Sequence, residues 1–208
     1  MKRIALTGGI ATGKSTVLQR WQSHGLPRPA VLDSDQLAHE TYRPGSTTYA
    51  EIVQAFGRAI LNADGTVNRA RLGELVFADE TQRLTLNHIV HPAVRRLWQA
   101  ALAQLAAGGQ TALAVVAIPL LYETGAEQEF DVVVAVGCSA ATQLARLTAR
   151  GLSADQAGAR LRAQWPVPAK LDRAHFVIWN DGLPVVLAEQ ADLVWATLKE
   201  TGHAPSQN

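Results

Sequence analysis

Residues Gly8-Gly9-Ile10-Ala11-Thr12-Gly13-Lys14-Ser15 decide how this chain is read. They match G-x-x-x-x-G-K-[ST] at every fixed position, and Thr16 follows. The apolar run before them predicts a short buried strand over residues 3–7. The residues after them predict a helix over about 15–24, ended by Gly25 and Pro27. A strand, a glycine turn and a helix form the setting in which this pattern holds a phosphate chain. Glycines let successive backbone N–H groups curl around phosphate, and the helix N-terminus adds positive partial charge. Lys14 can reach the β- and γ-phosphates of a nucleoside triphosphate, and the Ser15 hydroxyl can ligate Mg²⁺. Ala11, Thr12, Gly13, Lys14, Ser15 and Thr16 are therefore the candidate ATP-binding residues, with Ser15 the candidate metal ligand.

Working outward, residues 30–32 read as a second short strand ending at Leu32-Asp33-Ser34-Asp35. A carboxylate at a strand end beside a phosphate loop can take the proton of an attacking hydroxyl or hold water on Mg²⁺. Asp33 suits that place, and Asp35 stands beside it. Both also fit a turn or a helix N-cap, Asp35 better than Asp33. A guanine-binding N-K-x-D tetrapeptide is absent, which argues against a GTPase.

Residues 35–107 read as helical almost throughout. Breaks are expected at Pro44-Gly45-Ser46, at residues 62–65 and at His91-Pro92. Leu72, Leu75, Val76, Leu84, Leu86, Ile89 and Val90 recur at helical spacing and are expected in the core. Residues 112–118 and 131–136 are continuous apolar runs, the mark of strands buried on both faces. A helix is expected over 140–150. Ser153 and Gln156 have capping-box spacing and open another helix to about residue 164. Pro166 and Pro168 should stiffen the chain there. A last strand over 176–179 leads through Asn180-Asp181-Gly182 to a helix from Pro184 to about 198, and the tail from Gly202 should fray. Strands alternating with helices predict an α/β fold with a parallel sheet and helices on both faces. It should be one domain: a core of residues 1–34, 110–140 and 174–200, a helical insertion over 35–109, and a lid over about 141–173.

Composition narrows the class of function. Of 208 residues, 48% are hydrophobic and 18% charged, which fits a globular core and excludes a solvated disordered chain. The formal net charge of +1 argues against a general nucleic-acid or anionic-membrane binder. No stretch suits an export signal or a membrane span. Cys138 is the single cysteine, so no intrachain disulfide can form and a reducing cytoplasm is expected. The charge is unevenly spread. Lys2, Arg3, Lys14, Arg20 and Arg28 occur in residues 1–32 without any acid. Arg146, Arg150, Arg160, Arg162, Lys170 and Arg173 face only Asp155 and Asp172 in residues 139–173. Two basic stretches in a neutral chain fit a local anion site. Arginines of a mobile lid could stabilise charge on a transferred phosphoryl group; as ordinary surface arginines they would only be solvated. His24, His39, His88, His175 and His203 show no metal-ligand spacing, and His91 before Pro92 fits a helix terminus or a ligand contact.

The order of motifs resembles the dephospho-coenzyme A kinase family. The resemblance rests on Leu6-Thr7-Gly8-Gly9-Ile10, Asp33-Ser34-Asp35, Tyr42-Arg43-Pro44-Gly45 and Arg69-Ala70-Arg71-Leu72. It continues through His91-Pro92, Pro119-Leu120-Leu121-Tyr122-Glu123, Gln143 to Leu147, Arg150, Gln164 and Val177-Ile178 with Asn180. It implies a P-loop nucleotide core, a helical substrate region and a lid. It also implies Mg²⁺-ATP-dependent phosphorylation of the ribose 3′-hydroxyl of dephospho-CoA, giving CoA and ADP. Carried over by position, Asp33 is the general base, with Lys14, Arg146 and Arg150 completing the catalytic set. Asn180 joins the ATP side, while Asp35, His91, Leu121, Tyr122 and Glu123 line the dephospho-CoA side. The implied enzyme works in the cytoplasm as a monomer or small homo-oligomer, without nucleic-acid or membrane partners. Two departures stand out: Ser34 where the family often has Ala, and Ala174-His175 where it commonly has Ala-Asp. A kinase for a nucleoside or nucleotide acceptor is the alternative, and an ATP-gated binding module is a further one.

Overall fold

The two apolar runs form the centre of a five-stranded sheet. Leu113–Ala117 (β3) and Val132–Gly137 (β4) are buried along their whole length, as strands covered on both faces must be. In the computed structural model, which describes residues 1–24 and 28–200, these strands flank Lys2–Gly8 (β1). Ala30–Asp33 (β2) and Phe176–Trp179 (β5) form the edges, in the order β2-β3-β1-β4-β5. The β1–β3, β1–β4 and β4–β5 pairs are parallel, with Ile4 opposite both Val115 and Val132. This is the expected parallel α/β sheet.

Side chains alternate across it. Ile4, Leu6, Val115, Val132, Val134 and Val136 face Lys14–His24 (α1) and Pro184–Glu200 (α9) in one apolar cluster. Within it, Trp21 and Trp195 pack with ring centroids 5.4 Å apart, and the Trp21 indole donates to the Ala191 carbonyl at 2.8 Å. Gly137 has the opposite parity, and a Cβ there would meet Val167 and Leu171 at 3.1 Å or less. The short helix Val167–Leu171 (α8) therefore covers the other face.

The chain folds as two compact units: residues 1–32 with 102–208, and residues 33–101. The second contains Ser34–Thr41 (α2), Thr47–Phe56 (α3), Arg69–Ala78 (α4) and most of Glu80–Ala107 (α5). The expected break at His91-Pro92 does not occur, because α5 continues through Pro92. Proline in a helix interior costs about 3 kcal/mol. Val90, Val94, Trp98 and Leu102 offset that cost: four apart, on both sides of Pro92, all are buried. The chain breaks instead at Asp79, which turns extended and accepts from the amides of Thr81 and Gln82 at 2.7 and 3.2 Å. Leu72, Val76 and Val90 are core as expected. Leu75 and Leu84 are 46% and 57% exposed, so the apolar stripe is narrower than its periodicity implied.

Ala140–Ala149 (α6) and Ala154–Arg162 (α7) follow β4, and the Ser153–Gln156 capping box is present in both directions. Pro166 caps α8 and Pro168 sits in its first turn, where a missing N–H leaves no bond unmade, so these prolines start a helix. The expected helix end at Gly25 and Pro27 and the expected frayed tail from Gly202 lie outside the described residues. Among the described residues, no helix is long and apolar enough to cross a membrane.

Candidate active site

The loop of residues 8–15 joins β1 to α1, and its glycines are required by geometry. Gly8 has φ +141° and Gly13 φ +105°, values that side chains avoid. A Cβ on Gly8 would run into the Val136 carbonyl, and one on Gly13 into the Asn180 amide. Ala11 is the one non-glycine residue with positive φ among the described residues, at +60°. Left-handed backbone costs an alanine about 1–2 kcal/mol, so neighbouring contacts must hold it there.

Those contacts come from far along the chain. The Ile10 N–H donates to Gln164 Oε1 at 2.8 Å, and the Ile10 carbonyl accepts from Gln143 Nε2 at 2.7 Å. Arg146 Nη1 donates to the Ala11 carbonyl at 3.1 Å, and its Nη2 to the Asn180 carbonyl at 2.9 Å. Asn180 Nδ2 donates to the Thr12 carbonyl at 2.8 Å, while its own N–H extends the β4–β5 ladder to Gly137. The Thr12 hydroxyl closes the loop on the Gly9 carbonyl. The structure thus brings Arg146 and Asn180 to the loop. Gln143 and Gln164, without assigned roles in the sequence, turn out to clasp Ile10 from both sides. Their distance along the chain from Ile10, 133 and 154 residues, hides this from sequence spacing.

Lys14 arches back over the loop. Its Nζ donates to the carbonyls of Gly8 and Gly9 at 3.0 and 2.9 Å. Ser15 and Thr16 stand exposed at the start of α1, where the Thr16 and Val17 N–H groups donate to the Gly13 carbonyl at 3.0 and 3.2 Å. Arg150 ends α6 with its side chain exposed and without a hydrogen bond or ion pair among the described residues. Asp181 accepts from the Ser139 N–H, which holds its carboxyl below the ordinary value and ties the turn after β5 to the start of α6.

Past the C-terminal end of β3, residues 119–127 are riveted to residues 165–173. Lys170 is fully buried; its Nζ lies 2.7 Å from Glu123 Oε1 and donates to the Pro119 carbonyl at 2.7 Å. Burial pulls the Lys170 amine below its ordinary value, and the bond to Glu123 opposes that. The Trp165 N–H donates to the same Glu123 oxygen at 2.8 Å. The Tyr122 and Trp165 rings stack at 14°, and the Arg173 guanidinium lies over both at 5.2 and 5.5 Å. Leu121 is wholly buried and Tyr122 is 5% exposed. The departure at His175 also finds its place. His175 Nδ1 accepts from the Val133 N–H at 3.0 Å, so the ring serves as an acceptor just before β5.

In the helical unit, Asp33 and not Asp35 is the N-cap of α2. Asp33 Oδ1 accepts from the Asp35 N–H at 2.9 Å, and Oδ2 has no hydrogen bond among the described residues. The cap position has extended φ and ψ and holds the carboxylate at the helix start; Asp35 lies inside the first turn. His91 is half-buried in the middle of α5 and is not at a helix end.

Comparison with known proteins places this geometry. A family model described as dephospho-CoA kinase matches residues 2–184. A dephospho-CoA kinase of Anaeromyxobacter dehalogenans is 46% identical over 200 residues, covering 96% of this chain and 93% of that one. The crystal structure of TT1252 from Thermus thermophilus matches with TM-score 0.76 at 34% identity, covering 96% of this chain and 97% of that one. The dephospho-CoA kinase from Campylobacter jejuni matches with TM-score 0.69 at 26% identity, covering 98% and 100%.

Proposed function

We propose how phosphoryl transfer proceeds in a chain that, like this one, belongs to the dephospho-CoA kinase family. It is an ATP-dependent kinase that phosphorylates the ribose 3′-hydroxyl of dephospho-CoA, giving CoA and ADP. The observation that carries the mechanism is the clasped loop of residues 8–15. Its amides and Lys14 offer fixed positive charge, and preorganised donors of this kind do most of the work in phosphoryl transfer. As the triphosphate arrives, Lys14 Nζ exchanges the Gly8 and Gly9 carbonyls for phosphate oxygens. Ala11, Thr12, Gly13, Ser15 and Thr16 border the phosphates, and Asn180 fixes the loop through Thr12.

Among the described residues no group of three His, Cys, Asp or Glu could hold a metal by itself. Mg²⁺ keeps most of its waters and is bound largely through substrate phosphates, so it asks few ligands of the chain. The exposed Ser15 hydroxyl would hold it, and the ion would supply charge neutralisation to the phosphates.

Asp33 acts as the general base. The oxygen not used in capping α2 takes the proton of the 3′-hydroxyl. Arg146 acts at the loop it bridges. Arg150, carried on the lid of residues 141–173, brings its uncommitted charge to the triphosphate. Asp35, His91, Leu121, Tyr122 and Glu123 belong to the dephospho-CoA side. Leu121, Tyr122 and Glu123 are held in place through the Glu123–Lys170 rivet. The enzyme is placed in the cytoplasm, as a monomer or small homo-oligomer, without nucleic-acid or membrane partners.

The test is direct. With ATP, Mg²⁺ and dephospho-CoA, the purified chain should release ADP and CoA in equal amounts. Turnover only with another alcohol or nucleoside would overturn the acceptor.

A further inference from the structure

Helix α2 carries Asp35 and His39 four residues apart, and Tyr42 follows as its C-cap. This spacing places them on one face. Burial pushes the Tyr42 hydroxyl above its ordinary value, the Asp35 charge adds to that and the Arg69 charge opposes it. His39 and Tyr42 open onto a cavity of about 590 Å³ inside the helical unit, walled further by Arg43, Asn62, Asn68 and Arg69. Among the described residues, no carboxylate lines it.

Its polar groups differ in how far they are already used. Asn62 and Asn68 bond each other at 2.9 Å, and Asn62 also bonds Thr66. The Arg43 side chain has no hydrogen bond or ion pair among the described residues. Arg69 donates to His39 Nε2 at 2.6 Å. A guanidinium can only donate, so that ring nitrogen is the acceptor and Arg69 gains orientation without losing charge. Arg69 is also the first residue of α4, where a cation opposes the helix dipole, so its place there does not serve helix stability.

Distance along α2 completes the case. Asp33 caps the helix and His39 lies six residues on, about 9 Å at ~1.5 Å rise per residue. A ribose whose 3′-hydroxyl meets Asp33 carries its 5′-diphosphate across the sugar, a span of that order. We infer that Arg43 and Arg69 bind the diphosphate of the acceptor, with His39 positioning Arg69, and so select a diphosphate-linked acceptor over a bare nucleoside. This rests on the dephospho-CoA reading and adds the residues that recognise the substrate's charge.

The experiment uses the intact chain with Arg43→Ala and Arg69→Ala combined. KM for dephospho-CoA should rise by ~10–100-fold, the worth of lost charge-assisted bonds, while kcat and KM for ATP stay near wild type. The Ki of adenosine, competing with dephospho-CoA, should not change. Arg43→Lys with Arg69→Lys should recover only part of the affinity, because charge returns without the bidentate fork. Near wild-type KM for dephospho-CoA, or a parallel rise in the adenosine Ki or the ATP KM, overturns the inference. If the double variant melts early, Arg43→Gln alone carries the same readouts. If the wild-type chain makes no CoA, the function falls and this subsite with it. If wild type makes CoA and the variant matches it, only the subsite falls.

Discussion

The phosphate loop and the helical unit treat their polar groups in opposite ways. From Ile10 to Thr12 every backbone carbonyl is already taken, by Gln143, Arg146 and Asn180. In the helical unit, Asp33 keeps one oxygen uncommitted and Arg43 keeps its whole side chain uncommitted among the described residues. The donor side is fixed before nucleotide arrives. In the proposed mechanism, the acceptor side holds charge in reserve for its ligand. A triphosphate is the same for every turnover and rewards a rigid cradle, whereas an acceptor must be told apart from competing alcohols, and unpaired groups do that.

The largest way to break this contrast is Asp33→Asn. Asparagine keeps an oxygen for the α2 cap, so the fold and the ATP affinity should survive while kcat falls by ~10²–10⁴. ATP binding measured by calorimetry beside steady-state kcat separates the two effects. Near-normal turnover would remove Asp33 from the base role.

Next in size is Lys170→Met. It leaves Glu123 buried without its cation, and removing one partner of a buried pair costs about 3–5 kcal/mol. For a chain of this size the melting midpoint should drop by roughly 6–20 °C. Replacing Glu123 by Leu as well should restore much of it. Because burial depresses the Lys170 amine, the unfolded chain binds more protons there, and this residue's penalty shrinks as pH rises toward the ordinary lysine value. The methionine variant should lose that alkaline gain, and thermal melts between neutral and alkaline pH would show whether it does.

His175→Ala is the smallest change. It strips the acceptor from the buried Val133 N–H, worth about 1–3 kcal/mol, whereas His175→Asp should stay near wild type. Equal losses in both variants, seen in urea unfolding, would mean the ring serves by packing.

Much of the fold could be read from local pattern. The octet at residues 8–15 encodes its own turn, the runs at 112–118 and 131–136 state their burial, and Ser153 with Gln156 declares a helix start. What escaped was set by distant partners. Pro92 stays helical because residues on both sides of it are buried, a fact of packing and not of propensity. Leu75 and Leu84 have the right spacing and too little packed over them to be buried. The positions of Lys14 and Ser15 at the start of α1 and of Asp33 at the end of β2 were readable from motif and strand end. The Gln143–Ile10–Gln164 clasp and the Glu123–Lys170 rivet join residues with no shared spacing, and only the fold brings them together.

Amide hydrogen exchange in the nucleotide-free chain tests the contrast most directly, since protection reports local opening. The amides of Ile10, Thr12, Thr16 and Val17 are bonded without any ligand. They should exchange slowly before ATP is added and change little after it, while residues 39–43 and 62–70 slow further when dephospho-CoA binds. Rapid exchange through residues 10–17 that stops on adding ATP would contradict the account, because the cradle would then be built by its ligand.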